Sequence, residues 1–470
     1  MAKKALQSFA DFASKLLPHE TGYLLQIQKF EDPERLEILK KIHDNVRHSI
    51  DHNNFDQSID KRKYNHLKNW IIDQLNKVDV DVRLKKIHEL SYKIRVDSIV
   101  YEEEKLIFAQ LKKTDPSYFF FKEFYELVLS YRQFLLIRLR YRDHDLTDDF
   151  IKKYKDEYQL TKDLFVRLHD ATYDIVRAYS GNKADSLKWE NWLRDVILDE
   201  KKQGFLRYQA FVNLMFISHN HKRPDLVSNL FHVIEFHFLN GNFYSKRVLL
   251  NYYNMKLMYH AGLREYEEAV KYGYLSIRDI THDSLLYTNN LCAVLMRLNR
   301  NEEALKLMQQ QSHLIKTSKN YYNRVGYVAF YMEAMIKNGK FRQAESYGEK
   351  FLNAYKDEVL QFRWHLFFSI FLEAMVHNKS FEKISRINSK FKLLDLHEKH
   401  SRNFSYNPSI PFFIQLSFYQ MTKVKSDDMI AFLEHTLNQL NENPEEEKKL
   451  KKLIKTWIRH LPERAAKFGR

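Results

Sequence analysis

The chain has 470 residues with only 10 Gly and 8 Pro, a single cysteine, 14% aromatic residues and a formal net charge of +15. So few breakers favour long helices. A lone Cys292 excludes an internal disulfide framework and fits a reducing compartment. The most apolar stretch, Tyr118–Leu139, is interrupted by Lys122, Glu123, Glu126, Arg132 and Arg138, so no membrane partner is expected. The N-terminal MAKKALQSFADFASKLLPHETG lacks the apolar run of a secretory signal, and a cytoplasmic protein is the expectation.

Residues 1–30 read as two short helices broken at Pro18. Asp32-Pro33 supplies a cap and a first-turn proline for a helix to about Ile50. Helical periods follow at 61–77 and 81–113, the second broken near Asp97. Asp115-Pro116 repeats the capping device ahead of an apolar helix over Ser117–Tyr141. Thr147 reads as the cap of a long amphipathic segment to about Ser180, ended by Gly181-Asn182.

From Trp189 the rhythm changes to helix pairs: 205–219 with 225–239, 244–260 with 265–280, 284–298 with 302–316, 321–337 with 341–355, 361–377 with 381–396, and 409–421 with 427–440. Asn443-Pro444 opens a last helix, acidic in its first turn and carrying Lys451, Lys452, Lys455 and Arg459 later, which matches the helix dipole. Residues 1–200 hold 35 Lys+Arg and 35 Asp+Glu, so the remainder holds 76 − 35 = 41 and 61 − 35 = 26, and the whole +15 lies there. The expected architecture is all-α: a charge-neutral helical bundle over 1–200, a basic array of about six helix pairs over 201–442, and a C-terminal capping helix over 443–470.

One segment nearly recurs. FYMEAMIKNGKFRQA at 330–344 returns forty residues on as IFLEAMVHNKSFEKI at 370–384, with five of fifteen positions identical. A fixed offset of this size marks a helical repeat. The turns AGLREYEEA (261–269), RLNRNEEA (297–304), KNGKFRQA (337–344) and HNKSFEKI (377–384) resemble the tetratricopeptide repeat, with Ala269, Ala304 and Ala344 at its small position and Tyr266, Phe341 and Phe381 at its aromatic one. Ile384 and Asn301 depart from the pattern. The resemblance covers about 245–385. It implies a right-handed α-solenoid that binds a protein or peptide on its concave face.

Aligning the four turns brings His260, Arg297, Lys337 and His377 into one column near that face. One turn earlier come Lys256, Glu333 and Glu373, and earlier still Tyr252 and Asn289. These nine are the candidate partner-binding residues. Basic residues in a last helical turn also serve the helix dipole without any ligand. The expected partner is a protein or peptide, an acidic one included. The alternative, suggested by the charge alone, is a basic solenoid that binds nucleic acid. The aromatic residues around 321–331 and 362–371 recur at helical spacing and read as core.

No phosphate-binding glycine loop and no GxSxG occur. Cys292 sits in the apolar run LCAVLM as a packed thiol. His43/His48, His219/His221 and His397/His400 lack a third ligand or an acidic base, and Asp143, Asp145, Asp148 and Asp149 lack the glycine and terminal Glu of a calcium loop. No catalytic residue, metal site or cofactor is predicted, and the chain reads as a non-enzymatic scaffold or regulatory adaptor.

Overall fold

The computed structural model describes residues 2–48, 55–179, 185–400, 408–440 and 444–469. The fold is all-α, with no strand among the described residues. No helix among them is long and apolar enough to cross a membrane. The chain divides into two compact units, one holding residues 1–178 and 182–263 and the other Arg264–Arg470. The division lies C-terminal to residue 200, where the charge balance changes.

The first unit contains α1 (Ala2–Ser14), α2 (Pro18–Ile27), α3 (Pro33–His48), α4 (Lys61–Val78), α5 (Val80–Arg95), α6 (Tyr101–Leu111) and α7 (Phe121–Ile137). It continues with α8 (Tyr141–Lys153), α9 (Lys155–Tyr179), α10 (Glu190–Leu198), α11 (Gly204–Asn220), α12 (Leu230–Leu239) and α13 (Lys246–Gly262). Asp79 both ends α4 and caps α5, its carboxylate accepting from the backbone N–H groups of Asp81 at 2.8 Å and Val82 at 3.1 Å. The break expected near Asp97 is there, at a left-handed φ of 55° between α5 and α6. Thr147 is not a cap. It is buried inside α8 with its hydroxyl donating to the His144 carbonyl at 2.7 Å, and the chain breaks instead at Tyr154. Asp115 closes a turn onto Ser117, and the helix that follows starts only at Phe121.

Buried Glu20 anchors this unit. It accepts from the Tyr244 hydroxyl at 2.7 Å, the Leu17 N–H at 2.8 Å and the Lys246 ammonium at 3.1 Å. A carboxylate that is 1% exposed needs this full set of donors. The Tyr244 carbonyl accepts from Val80 N–H at 2.8 Å, so one loop residue ties α2 to the start of α5.

The second unit contains α14 (Tyr266–Ser276), α15 (Ser284–Arg297), α16 (Asn301–Gln310), α17 (Leu314–Thr317), α18 (Tyr321–Lys337), α19 (Phe341–Ala354) and α20 (Lys356–Gln361). After these come α21 (Trp364–His377), α22 (Phe381–Phe391), α23 (Leu393–His400), α24 (Ser409–Gln420), α25 (Ser426–Leu440) and α26 (Pro444–Thr456). Asn443, expected to open the last helix, lies outside the described residues. Four helices, α15, α18, α21 and α24, pack one on the next, and each packs against its own follower, α16, α19, α22 or α25.

One turn recurs between the members of these pairs. Asn299, Gly339, Lys379 and Thr422 have φ of 58°, 72°, 59° and 58°, and the following N–H reaches back five residues to the helix carbonyl, Arg300 to Leu295, Lys340 to Met335, Ser380 to Met375 and Lys423 to Phe418, all at 2.8–2.9 Å. This is the left-handed helix stop of the Schellman type. It turns the second helix back onto the first, and Ala304, Ala344 and Ile384 at that approach are fully buried. Gly348 allows the closest crossing, because a Cβ there would lie 2.5 Å from Met332 Sδ and 2.7 Å from the Phe371 ring.

Only Gly339 adopts the left-handed conformation without a Cβ penalty. Gly339→Ala is therefore expected to destabilise the protein by about 1 kcal/mol and Lys379→Gly to stabilise it by up to about 1 kcal/mol, read from denaturant midpoints. Equal effects of the two substitutions would contradict the shared turn.

Candidate functional site

The nine sequence-derived residues fall in three settings. Tyr252, Lys256 and His260 sit on α13 in the first unit. Tyr252 is fully buried against Phe231, Phe238 and His19 and belongs to the core. Lys256 is 13% exposed, 4.0 Å from Glu235 and 5.0 Å over the Phe231 ring. It extends a polar chain in which His19 Nδ1 lies 2.7 Å from the Tyr253 hydroxyl and Nε2 lies 3.2 Å from Glu235. That chain fastens α2 to α12 and α13, so Lys256 is held internally. His260 is partly exposed, its ring against Tyr259.

Asn289, on α15 in the second unit, is 1% exposed, and its amide donates to the Asn323 carbonyl at 3.0 Å. It ties α15 to α18 and is closed to a partner.

The remaining five lie on α15, α18 and α21, and four of them, Arg297, Glu333, Lys337 and Glu373, come within electrostatic reach of one another. Glu333 lies within electrostatic reach of Arg297 and Lys337, and Glu373 within reach of Glu333 and Lys337. Lys337 Nζ is 3.9 Å from Glu333 Oε1, and both side chains keep about a third of their surface, 33% and 30%. An (i, i+4) pair of this kind contributes roughly 0.2–0.5 kcal/mol. Arg297 is exposed, with its guanidinium 5.8 Å from the Tyr266 ring centroid. Glu373 has neither a hydrogen bond nor an ion pair among the described residues. Burial pushes its carboxyl up to about 7, and Glu333 adds to the rise against the pull of Lys337 and Lys452. Burial raises Glu333 as well, opposed by Lys337, Arg297 and Lys452.

His377 does not extend a cationic column. Its ring lies flat on Phe341, with centroids 3.9 Å apart at 10°, and tilted against Trp457 at 4.5 Å. Burial, and then neighbouring His460, hold its pKa below the ordinary histidine value.

Sequence reasoning missed Lys452 and Trp457. Both come from the C-terminal segment, and the available signal was an apolar stripe, Leu450, Ile454 and Trp457, at helical spacing in a basic stretch. All three are buried.

Elsewhere the chemistry is already engaged. A groove of about 300 Å³ between α5 and α7 is lined by residues that include Ser91, Arg95, Glu123 and Glu126. There Glu123 holds Lys122 and Gln203, while Glu126 holds Lys122 and Tyr158. Asp143 and Asp148 of the acidic cluster pair with Arg140 and with Arg132 and Lys152. Among the described residues no group of three or more His, Cys, Asp or Glu is arranged to hold a metal ion. Cys292 is fully buried, and burial pushes its thiol well above the ordinary range, away from thiolate chemistry. The chain matches no protein-family model, no curated protein and no solved structure.

Folding raises the Glu373 pKa above its ordinary 4.5, so the folded chain binds this proton more tightly than the unfolded one, and stability falls as pH rises from 4.5 to about 7. Glu373→Gln removes that loss. The variant is expected to be more stable than wild type by on the order of 1–2 kcal/mol at pH 8, with the difference shrinking toward zero at pH 5, in thermal melts. A difference independent of pH would contradict the assignment.

Proposed function

We propose that this protein is a non-enzymatic binding scaffold or regulatory adaptor, and that the face of α15, α18 and α21 carrying Arg297, Glu333, Lys337 and Glu373 receives a protein or peptide segment. In this reading the helix pairs of the second unit form a right-handed tetratricopeptide-like array and α26 closes its end. Four features support the array: the repeated left-handed stop, the small buried residue after it, the packing of each first helix on the next, and the 330–344/370–384 recurrence.

The observation that carries the binding assignment is Glu373. A carboxylate that is mostly withdrawn from water and has no donor among the described residues is costly, and residues held in that state cluster at functional sites. Lys337 acts on it while held in a loose 3.9 Å pair with Glu333, and Arg297, within reach of Glu333, closes no ion pair among the described residues. Repeat proteins bind chain segments along such helix faces because successive first helices offer side chains at regular intervals. The +15 of the whole chain does not translate into a positive face here, since two carboxylates interrupt the basic column.

The test is affinity purification of the full chain from its native cell, with and without nuclease. A protein partner that survives nuclease is expected, and Arg297→Glu with Lys337→Glu should change its recovery several-fold, as charge changes at a binding rim do. Reversal of Lys85, which is 80% exposed on α5, should leave recovery unchanged. Nucleic acid that co-purifies with a steep salt dependence, or a partner indifferent to the double reversal, would contradict the proposal.

A further inference from the structure

The segment that follows α25 differs in composition from the rest of its unit. KKLKKLIKTWIRH, residues 448–460, has six Lys or Arg in thirteen positions. Leu450 and Ile454 are fully buried and Trp457 is 4% exposed, while Lys452 and Lys455 stay out in solvent. It is the basic amphipathic end of α26, which stops at Thr456, followed directly by one aromatic anchor in the turn.

The anchor lies against the proposed binding face. Trp457 packs on His377 at 4.5 Å and edge-on against Phe413 at 5.9 Å, with His460 5.6 Å away and Phe341 behind His377. Five residues earlier, Lys452 acts on both Glu333 and Glu373. Neither contact is complete. The Trp457 indole N–H is buried with no acceptor among the described residues, which a Phe in the same slot would avoid at no loss of packing type. Lys452 closes no ion pair with either carboxylate. The segment has the right chemistry for this face, and its polar contacts with it remain open.

We infer that Pro444–Leu461 is an internal occupant of the partner-binding face, and that the partner displacing it is a basic helical segment with a lysine or arginine followed five residues later by a large aromatic ring. This rests on the function proposed above. The cation goes to Glu333 and Glu373, and the ring goes to the Phe341–His377–Phe413 slot. Being tethered, the chain's own segment competes at a high effective concentration, so an external one must match the face better or arrive when the segment is loosened.

The probe is a fluorescein-labelled peptide of residues 444–461, titrated by anisotropy against the full-length protein. Wild type should bind it weakly. Trp457→Ala in the full chain should bind it at least about tenfold more tightly, and adding Glu333→Gln and Glu373→Gln should remove that gain. Because Trp457→Ala opens a cavity, Lys452→Glu at an exposed position is run beside it; it should melt near wild type and show a smaller gain in the same direction. The inference is overturned if folded Lys452→Glu protein gains nothing, or if the Trp457→Ala gain survives loss of the two carboxylates. If these variants gain nothing while the Arg297/Lys337 reversal still changes recovery of the native partner, the binding face stands and only the internal occupant is discarded.

Discussion

The second unit depends on one backbone constraint, a single left-handed residue after each first helix, locked by an N–H to carbonyl bond five residues back at Asn299, Gly339, Lys379 and Thr422. It fixes the angle at which each second helix returns, and so where Ala304, Ala344 and Ile384 are buried. Three of the four residues are not glycine, so the conformation is held at a cost of roughly 1–2 kcal/mol each by what surrounds it. Side-chain bonds between successive turns supply part of that support. The Asn338 amide donates to the Asn301 carbonyl at 2.9 Å, and Asn378 and Ser380 donate to buried Glu345 at 2.6 and 3.0 Å. With the turns fixed, Arg297, Glu333, Lys337 and Glu373 have little choice but to meet.

Two glutamates, Glu20 buried and Glu373 partly so, show how structure separates support from binding. Glu20 has three donors within 3.1 Å and joins pieces of the first unit. Glu373 has none among the described residues, and burial with a like charge beside it raises its pKa. The same residue type is a staple in one place and a poised charge in the other. The basic excess of the chain is a statement about its total, whereas this face is set by which four or five charges the helices bring together.

Much of the helix pattern was legible because it is local. Breakers and caps such as Pro18, Asp32-Pro33, Asn338-Gly339 and Asn378-Lys379 act through hydrogen bonds within a few residues, and the pairs at 321–337/341–354 and 364–377/381–391 follow them closely. The register derived from the turns also put Glu333 near Glu373. Thr147 misled because a threonine hydroxyl serves a helix interior as readily as a cap. Tyr252 and Asn289 were equally plausible on a free face until packing from distant helices buried them. The covering of His377 by Trp457 is non-local: the apolar stripe Leu450, Ile454 and Trp457 marks a face to be buried, but nothing in it says that His377 is what it covers.

Hydrogen–deuterium exchange on the full chain, alone and with the partner recovered from the native cell, tests the account most directly. Binding should slow exchange in α15, α18 and α21 and speed it in residues 444–461, as the internal segment is displaced. Protection confined to the first unit, with α18 and α21 unchanged, would contradict it.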